Sequence, residues 1–171
     1  MAKGNLVEKR SSFEGIRMKS SATLEINRPI EDVFAFVADA RNMDQWVVGV
    51  SDVRLVSDRA DTVGARYESN YTYSGRTQRM TYEVTEYDAP NRYAIRGEGP
   101  FPFTGELVLE ETATGTRVTN TIDAGSDGLF TTAMFTLFAP LMRRVMARRL
   151  KEELVALQSA TESSSTPQTA V

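Results

Sequence analysis

The chain of 171 residues contains no cysteine and no histidine. Without cysteine, the sequence excludes disulfide bonds, thiolate catalysis and cysteine-ligated metal sites. Without histidine, it lacks the usual imidazole base and the commonest metal ligand, so a Ser-His-Asp triad cannot be built. We therefore expect no metal ion and no cofactor, and any catalysis would depend on a carboxylate, phenols and bound water.

The chain also has little net charge and no long apolar run. Its net charge is −3, so we expect no general attraction to nucleic acid. Residues Met1–Arg10 are polar and carry both signs of charge, unlike the apolar core of a signal peptide. The apolar segment Leu129–Met142 is too short to span a membrane and contains three threonines. These features predict a cytoplasmic protein without a transmembrane segment, as a monomer or a homodimer.

Apolar and polar residues alternate through successive hairpins from Tyr67 to Ala124. A period of two residues predicts an antiparallel meander with one face in water. The other face is aromatic and consists of Tyr67, Tyr71, Tyr73, Tyr82, Tyr93, Phe101 and Phe103. So large an apolar face requires a cover from the rest of the chain.

Shorter elements are predicted before this meander. Ser20 to Ile26 indicates a first strand, and Pro29 suits the first position of a helix that follows it. The next signals are a short helix or turn over Arg41–Val48, around Trp46, and a strand over Val50 to Val56. The order is therefore a strand, two short helices and six further strands.

The C-terminal part predicts one long helix. From Leu129 to about Leu157 the apolar residues recur with a period near 3.6, and Pro140 is expected to kink this helix or divide it. Whether Pro140 is a hinge stays open. Residues 159–171 are low in apolar side chains and predict a disordered tail, and residues 1–18 predict a mobile segment. Residues 19–158 then form a single domain.

This order and two stretches carry a family resemblance. The stretches EINRPIEDVFAFVADARNMDQW and APLMRRVMARRLKEELVALQ resemble the polyketide cyclase/dehydrase-like branch of the START/Bet v 1 (SRPBCC) superfamily. The resemblance covers roughly Ser20 to Gln158. It implies an α+β helix-grip fold, in which a seven-stranded curved antiparallel sheet wraps around the C-terminal helix and leaves a cavity. Members bind or transform hydrophobic small molecules there. The matching motif residues are mainly structural, namely Pro29, Val33, Phe34, Asp39 and Trp46, and Trp46 is placed at the cavity mouth.

The aromatic face is interpreted as the lining of that cavity. A buried phenol needs a hydrogen-bond partner, which a dry aliphatic core rarely offers. The alternative is a solid core filled from the helix. Ser69 and Asn120 are polar exceptions on this face, and each either orients a ligand or satisfies a neighbouring group. The predicted ligand-binding residues are Trp46, Tyr67, Ser69, Tyr71, Tyr82, Tyr93, Phe103, Asn120, Met134 and Phe138.

Three functions follow from this interpretation. The first is binding of a hydrophobic aromatic, polyketide-like or lipid-like small molecule. The second is a cyclase or dehydrase in which Tyr71, Tyr82 and Asn120 polarise carbonyl groups and Glu86 is the base, because only Glu86 among the strand acids shares the inward parity. The third is an interaction module, like a chaperone activator, that uses the outer face of the sheet or a basic helix.

The basic run Arg143–Lys151 supplies five cations with no acid inside it. One interpretation is contact with anionic lipid, a phosphate or an acidic partner. The other is a solvated helix face, since Arg148 and Arg149 each have a glutamate four residues on. The sequence leaves both open.

Overall fold

The computed structural model describes residues 16–98, 102–126 and 129–163, without the side chains of 16, 17, 98, 125, 126, 129–140 and 142. The predicted site residues Met134 and Phe138 therefore lie outside the described side chains. The described chain forms one seven-stranded sheet. Its strands are β1 (Ile16–Ile26), β2 (Val50–Leu55), β3 (Arg66–Tyr73), β4 (Arg76–Asp88), β5 (Arg92–Glu98), β6 (Phe103–Thr112) and β7 (Gly115–Ser126).

The strand order is β1-β7-β6-β5-β4-β3-β2, and every neighbouring pair is antiparallel. Strands β3 to β7 form the predicted meander, β2 extends it by pairing with β3, and β1 lies at the far side, where it pairs with β7. The turn into β7 fits tightly against β1: a Cβ at Gly115 would lie 2.2 Å from the carbonyl oxygen of Ile26. Next to it, the buried hydroxyl of Thr116 donates a 2.7 Å hydrogen bond to the carbonyl of Arg28.

Two short helices connect β1 to β2. Helix α1 (Ile30–Ala38) follows Pro29, carries acids in its first turn, and buries Ile30, Val33, Phe34 and Val37. A 3-10 turn over Ala40–Asn42 begins where the Asp39 carboxylate accepts a 3.0 Å hydrogen bond from the Arg41 N–H. Helix α2 (Met43–Trp46) buries Met43 and Trp46.

Helix α3 (Leu129–Ser163) covers the sheet and contacts β1, β7 and α2. Leu150, Leu154 and Leu157 are almost fully buried, as their helical spacing predicts. The predicted α+β helix-grip fold is confirmed: a seven-stranded antiparallel sheet, a long C-terminal helix, and two short helices after the first strand.

The element boundaries differ from the prediction in three places. Strand β1 begins at Ile16 rather than Ser20, and buried Met18 belongs to it. Helix α3 continues to Ser163, past the predicted end near Leu157. Pro140 does not divide α3, because a single proline removes one backbone donor and the remaining hydrogen-bond ladder can continue around it.

Candidate ligand-binding site

Tyrosines from three neighbouring strands lie together on the inner face of the sheet. Tyr67 of β3 is directly opposite Tyr82 of β4, and their rings are stacked with centroids 5.5 Å apart and an interplanar angle of 13°. The ring centroids of Tyr93 (β5) and Tyr87 lie 6.1 Å apart, and those of Tyr87 and Phe34 (α1) lie 5.3 Å apart, both with the rings nearly perpendicular. The rings therefore form two groups on the inner face, one that joins β3 to β4 and one that joins β4 and β5 to α1.

Two phenol groups on this face have no polar partner. The side chains of Tyr82 and Tyr93 are 3% and 5% exposed, and neither hydroxyl makes a hydrogen bond in the part of the chain that the structure describes. Burial raises the pKa of both phenols far above the ordinary value of 10. Both groups therefore keep their protons at physiological pH and can donate a hydrogen bond to a carbonyl or hydroxyl oxygen.

Tyr67 differs from its stacked neighbour. Burial also raises its pKa, but a backbone hydrogen bond from Asp61 acts in the opposite direction. The phenol oxygen of Tyr67 thus has a partner in the loop before β3. Among the described residues, the buried tyrosine hydroxyls without a hydrogen-bond partner are those of Tyr82 and Tyr93.

The two polar exceptions lie where the alternation predicts. Ser69 of β3 and Asn120 of β7 are each 4% exposed and share the inner face with the tyrosines. The pairing of β3 with β4 runs without a shift, so Ser69 keeps the register of Tyr67. The β6–β7 ladder is equally regular through Asn120.

The remaining predicted residues differ in exposure. Tyr71 and Phe103 are partly buried on the inner face, and the Phe103 ring occupies the space beside Gly97 that a side chain there would need. Tyr73, at the end of the β3–β4 hairpin, is 58% exposed. Trp46 is buried in the core, and its indole N–H has no hydrogen-bond partner among the described residues.

Glu86 does not join the site. The β4–β5 pairing shifts between Val84 and Glu86, and this bulge turns Tyr87 inward and Glu86 outward. On the outer face Glu86 forms a 3.3 Å ion pair with Arg92, which also binds Glu106. The predicted catalytic base is therefore excluded by its position, and strict alternation failed because it assumes a regular strand.

Sequence reasoning missed Arg149 as part of this region. Its guanidinium lies over the Tyr71 ring, donates to the carbonyl of Val48, and forms a 3.2 Å pair with Glu153. Glu153 is 4% exposed, and burial raises its pKa although Arg149 lowers it. The four-residue spacing was the available signal, but it does not reveal that this pair is buried while the Arg148–Glu152 pair is exposed.

Metal binding and membrane spanning find no support in the described residues. Within residues 16–98, 102–126 and 129–163, no three acidic side chains cluster in a way that could hold a metal ion. Across the same ranges, no helix combines the length and the apolar character that crossing a bilayer requires.

Comparison with solved structures supports the fold. TTHA0849 from Thermus thermophilus is 22% identical, with a TM-score of 0.70 over 86% of this chain and 99% of that one. The Zhui aromatase/cyclase from Streptomyces sp. R1128 is 15% identical, with a TM-score of 0.70 over 91% of this chain and all of its own. The di-domain ARO/CYC StfQ from the steffimycin biosynthetic pathway is 12% identical, with a TM-score of 0.68 over 87% of this chain and 52% of that one. At these identities the similarity concerns the fold alone.

Family membership rests on the sequence. A search of curated proteins finds no match. One protein family matches residues 17–162, which include nearly all of the described sheet and α3, and its description is polyketide cyclase / dehydrase and lipid transport. The chain therefore belongs to the polyketide cyclase/dehydrase and lipid transport family.

Proposed function

We propose that the protein binds a hydrophobic small molecule between the inner face of the sheet and α3. The observation that carries the proposal is the pair of buried, unpartnered phenol groups of Tyr82 and Tyr93. Hydrogen-bond donors of this kind need an acceptor, and an aromatic, polyketide-like or lipid-like molecule with a carbonyl or hydroxyl group provides one.

The buried phenols and the apolar side chains around them both contribute to the expected binding free energy. Leaving a buried polar group unpaired costs about 1–3 kcal/mol, so a ligand oxygen near either phenol relieves a cost already present in the empty protein. Burial of ~300 Å² of apolar ligand surface contributes about 7 kcal/mol at ~25 cal/mol per Å². Association costs at least ~4 kcal/mol. Apolar contact alone therefore gives weak binding, and the polar anchors supply affinity and orientation.

Each inner-face residue takes a role in this proposal. The stacked rings of Tyr67 and Tyr82 offer a flat surface for an aromatic ligand. Ser69 on β3 and Asn120 on β7 provide further polar groups on the same face of the sheet. The wider binding surface comprises Trp46, Tyr71 and Phe103.

Native mass spectrometry of the protein purified from its own host tests this function. The expected result is a stoichiometric adduct that denaturation releases as a small hydrophobic compound. The opposite result is an empty protein whose melting temperature no member of a lipid and polyphenol panel raises. A partner protein recovered in a salt-sensitive way from such an empty protein would instead support the interaction module.

A cyclase or dehydrase acting on the bound molecule is the second candidate. Its support is the protonated state of Tyr82 and Tyr93, since a neutral phenol can polarise a carbonyl by donating a hydrogen bond to its oxygen. Tyr71 and Asn120 would assist, and a shaped pocket would favour ring closure by holding a reactive chain folded. Turnover of a polyketide-like substrate that falls in Tyr82→Phe even at saturating substrate would support the enzyme. Unchanged turnover would exclude Tyr82 from the chemistry.

A further inference from the structure

We propose that the outer face of α3 docks on the surface of an anionic lipid bilayer. Among the described residues of this helix, three large apolar side chains are exposed: Leu141 at 59%, Val145 at 52% and Val155 at 46%. Leu141 and Val145, the two most exposed, are four residues apart and therefore lie one above the other on the same side of the helix. Leu150, Leu154 and Leu157 form the opposite, buried side.

Exposed cations flank these two apolar residues on one side. At 3.6 residues per turn, Arg144, Arg148 and Lys151 lie within about 80° of Leu141 around the helix, and all three are exposed. No acid interrupts the run from 143 to 151, although Arg143 projects toward the side of the buried leucines. The chain as a whole has a net charge of −3, so the remainder carries −8 once the five cations of this run are set aside. The positive charge is thus local, and it orients this face of the helix toward an anionic surface.

Arg149, the fifth cation of the run, lies on the side of the helix that faces the protein, whereas Arg148 lies on the side that faces solvent. Arg149 is engaged with buried Glu153, the Val48 carbonyl and the Tyr71 ring. Among the described residues, the ion pair of Arg148 is with Glu152, at 2.9 Å, and both side chains are exposed. Exposed pairs of this kind are weak, so Arg148 can exchange the carboxylate for a lipid phosphate.

The mixture of exposed apolar and basic side chains selects the occupant. At a bilayer surface, apolar residues enter the boundary between headgroups and acyl chains while Arg and Lys contact anionic headgroups. A symmetric second copy of this chain would place the same cations against one another. A soluble acidic partner would use the cations and leave Leu141 and Val145 in water. The proposal does not depend on the ligand site, because the docking face is on the opposite side of α3 from its buried leucines.

Vesicle co-sedimentation of the full chain tests the proposal. The probes are phosphatidylcholine vesicles with and without about 30% phosphatidylglycerol, at roughly 0.1 M salt. The expected result is binding to the anionic vesicles alone, with affinity that falls as salt is raised. Absence of binding to anionic vesicles at this salt concentration would overturn the proposal.

Paired variants separate the two kinds of contact. Leu141→Gln with Val145→Gln removes the apolar pair and keeps good helix formers, and Arg144→Gln with Arg148→Gln removes two cations. We expect the double arginine variant to bind about 25-fold more weakly, near fivefold for each cation lost. We expect Leu141→Gln with Val145→Gln to lower vesicle binding at least about fivefold.

Matched controls alter exposed residues elsewhere. Val56→Ser with Val63→Ser removes two exposed valines, and Arg59→Gln with Arg76→Gln removes two exposed cations. Both controls should bind anionic vesicles like the wild type, and all variants should melt within a few degrees of it. Equal losses in the controls would overturn the proposal. Vesicle binding that ignores the change at 141 and 145 would overturn it in favour of simple adsorption to acidic surfaces.

Discussion

The guanidinium carbon of Arg149 lies 5.3 Å from the centroid of the Tyr71 ring. Through this cation–π contact, α3 touches β3 on the inner face of the sheet. The same guanidinium donates to the Val48 carbonyl, and the Glu153 carboxylate, which pairs with Arg149, also has a backbone hydrogen bond from Val48. The largely buried Arg149–Glu153 pair therefore links α3, through its hydrogen bonds with Val48, to the loop between α2 and β2.

Replacing Arg149 with alanine should destabilise the protein strongly. The change leaves Glu153 buried without its cation, and breaking one partner of a buried pair costs about 3–5 kcal/mol. Urea denaturation of Arg149→Ala measures this loss. The double variant Arg149→Ala with Glu153→Gln should recover part of it, because no uncompensated charge then remains.

The exposed neighbouring pair gives the matched control. Arg148→Ala removes a pair with Glu152 that is open to solvent, and should cost less than about 1 kcal/mol. Similar losses for Arg148→Ala and Arg149→Ala would contradict the assignment of Arg149 as the buried link.

The stability of the protein should depend on pH through Glu153. Burial raises the pKa of this carboxyl above its ordinary value of 4.5, and Arg149 only partly opposes that shift. The folded state therefore holds the proton more tightly than the unfolded state, and the free energy of unfolding falls as pH rises from 4.5 through the raised pKa.

The measurement compares wild type with Glu153→Gln across this pH range. Relative to the variant, the wild type should lose stability as pH rises. Above the raised pKa, the difference in free energy of unfolding between the two proteins should no longer change with pH. A wild type that gains stability relative to Glu153→Gln over the same range would show a lowered pKa and contradict this interpretation.

The phenols of Tyr67 and Tyr82 should respond differently to loss of the hydroxyl. Tyr82→Phe removes an unpartnered buried group, so the empty protein should be unchanged or gain up to about 1 kcal/mol. Tyr67→Phe removes a phenol that interacts with the Asp61 backbone and should lose about 1 kcal/mol. Chemical denaturation compares the two. A large loss of stability in Tyr82→Phe would mean that its hydroxyl has a structural partner.

Regular periodicity made most of the fold predictable. The alternation through β3 placed Tyr67 and Ser69 on the buried face, and the spacing of Leu150, Leu154 and Leu157 identified the buried side of α3. These patterns report burial directly, because one face of a strand or helix must be apolar to pack.

The errors arose where a local irregularity or a tertiary contact determines the direction in which a side chain points. The bulge after Val84 reversed the orientation of Glu86 and Tyr87, and neither residue type announces a bulge. Arg149 points inward because the Glu153 carboxylate and the Val48 carbonyl accept its hydrogen bonds. In the sequence, nothing distinguishes it from Arg148. Such contacts depend on segments that are distant in the chain.

Gly97 should be intolerant of a side chain. A Cβ there would lie 1.9 Å from the Phe103 ring, so Gly97→Ala forces the ring to move and should cost about 1–3 kcal/mol. Adding Phe103→Leu should restore part of the loss, which a double-mutant cycle in urea denaturation measures. Purely additive effects would show that the two positions do not compete for space.

Calorimetry with the compound released from the native protein tests the central claim most directly. Tyr82→Phe and Tyr93→Phe should each weaken its binding about five- to tenfold, the equivalent of one hydrogen bond of ~1 kcal/mol or slightly more. Tyr73→Phe, which alters an exposed phenol on the same sheet, should bind like the wild type. Identical affinities for the wild type and both inner-face variants would contradict a site in which Tyr82 and Tyr93 hold the ligand.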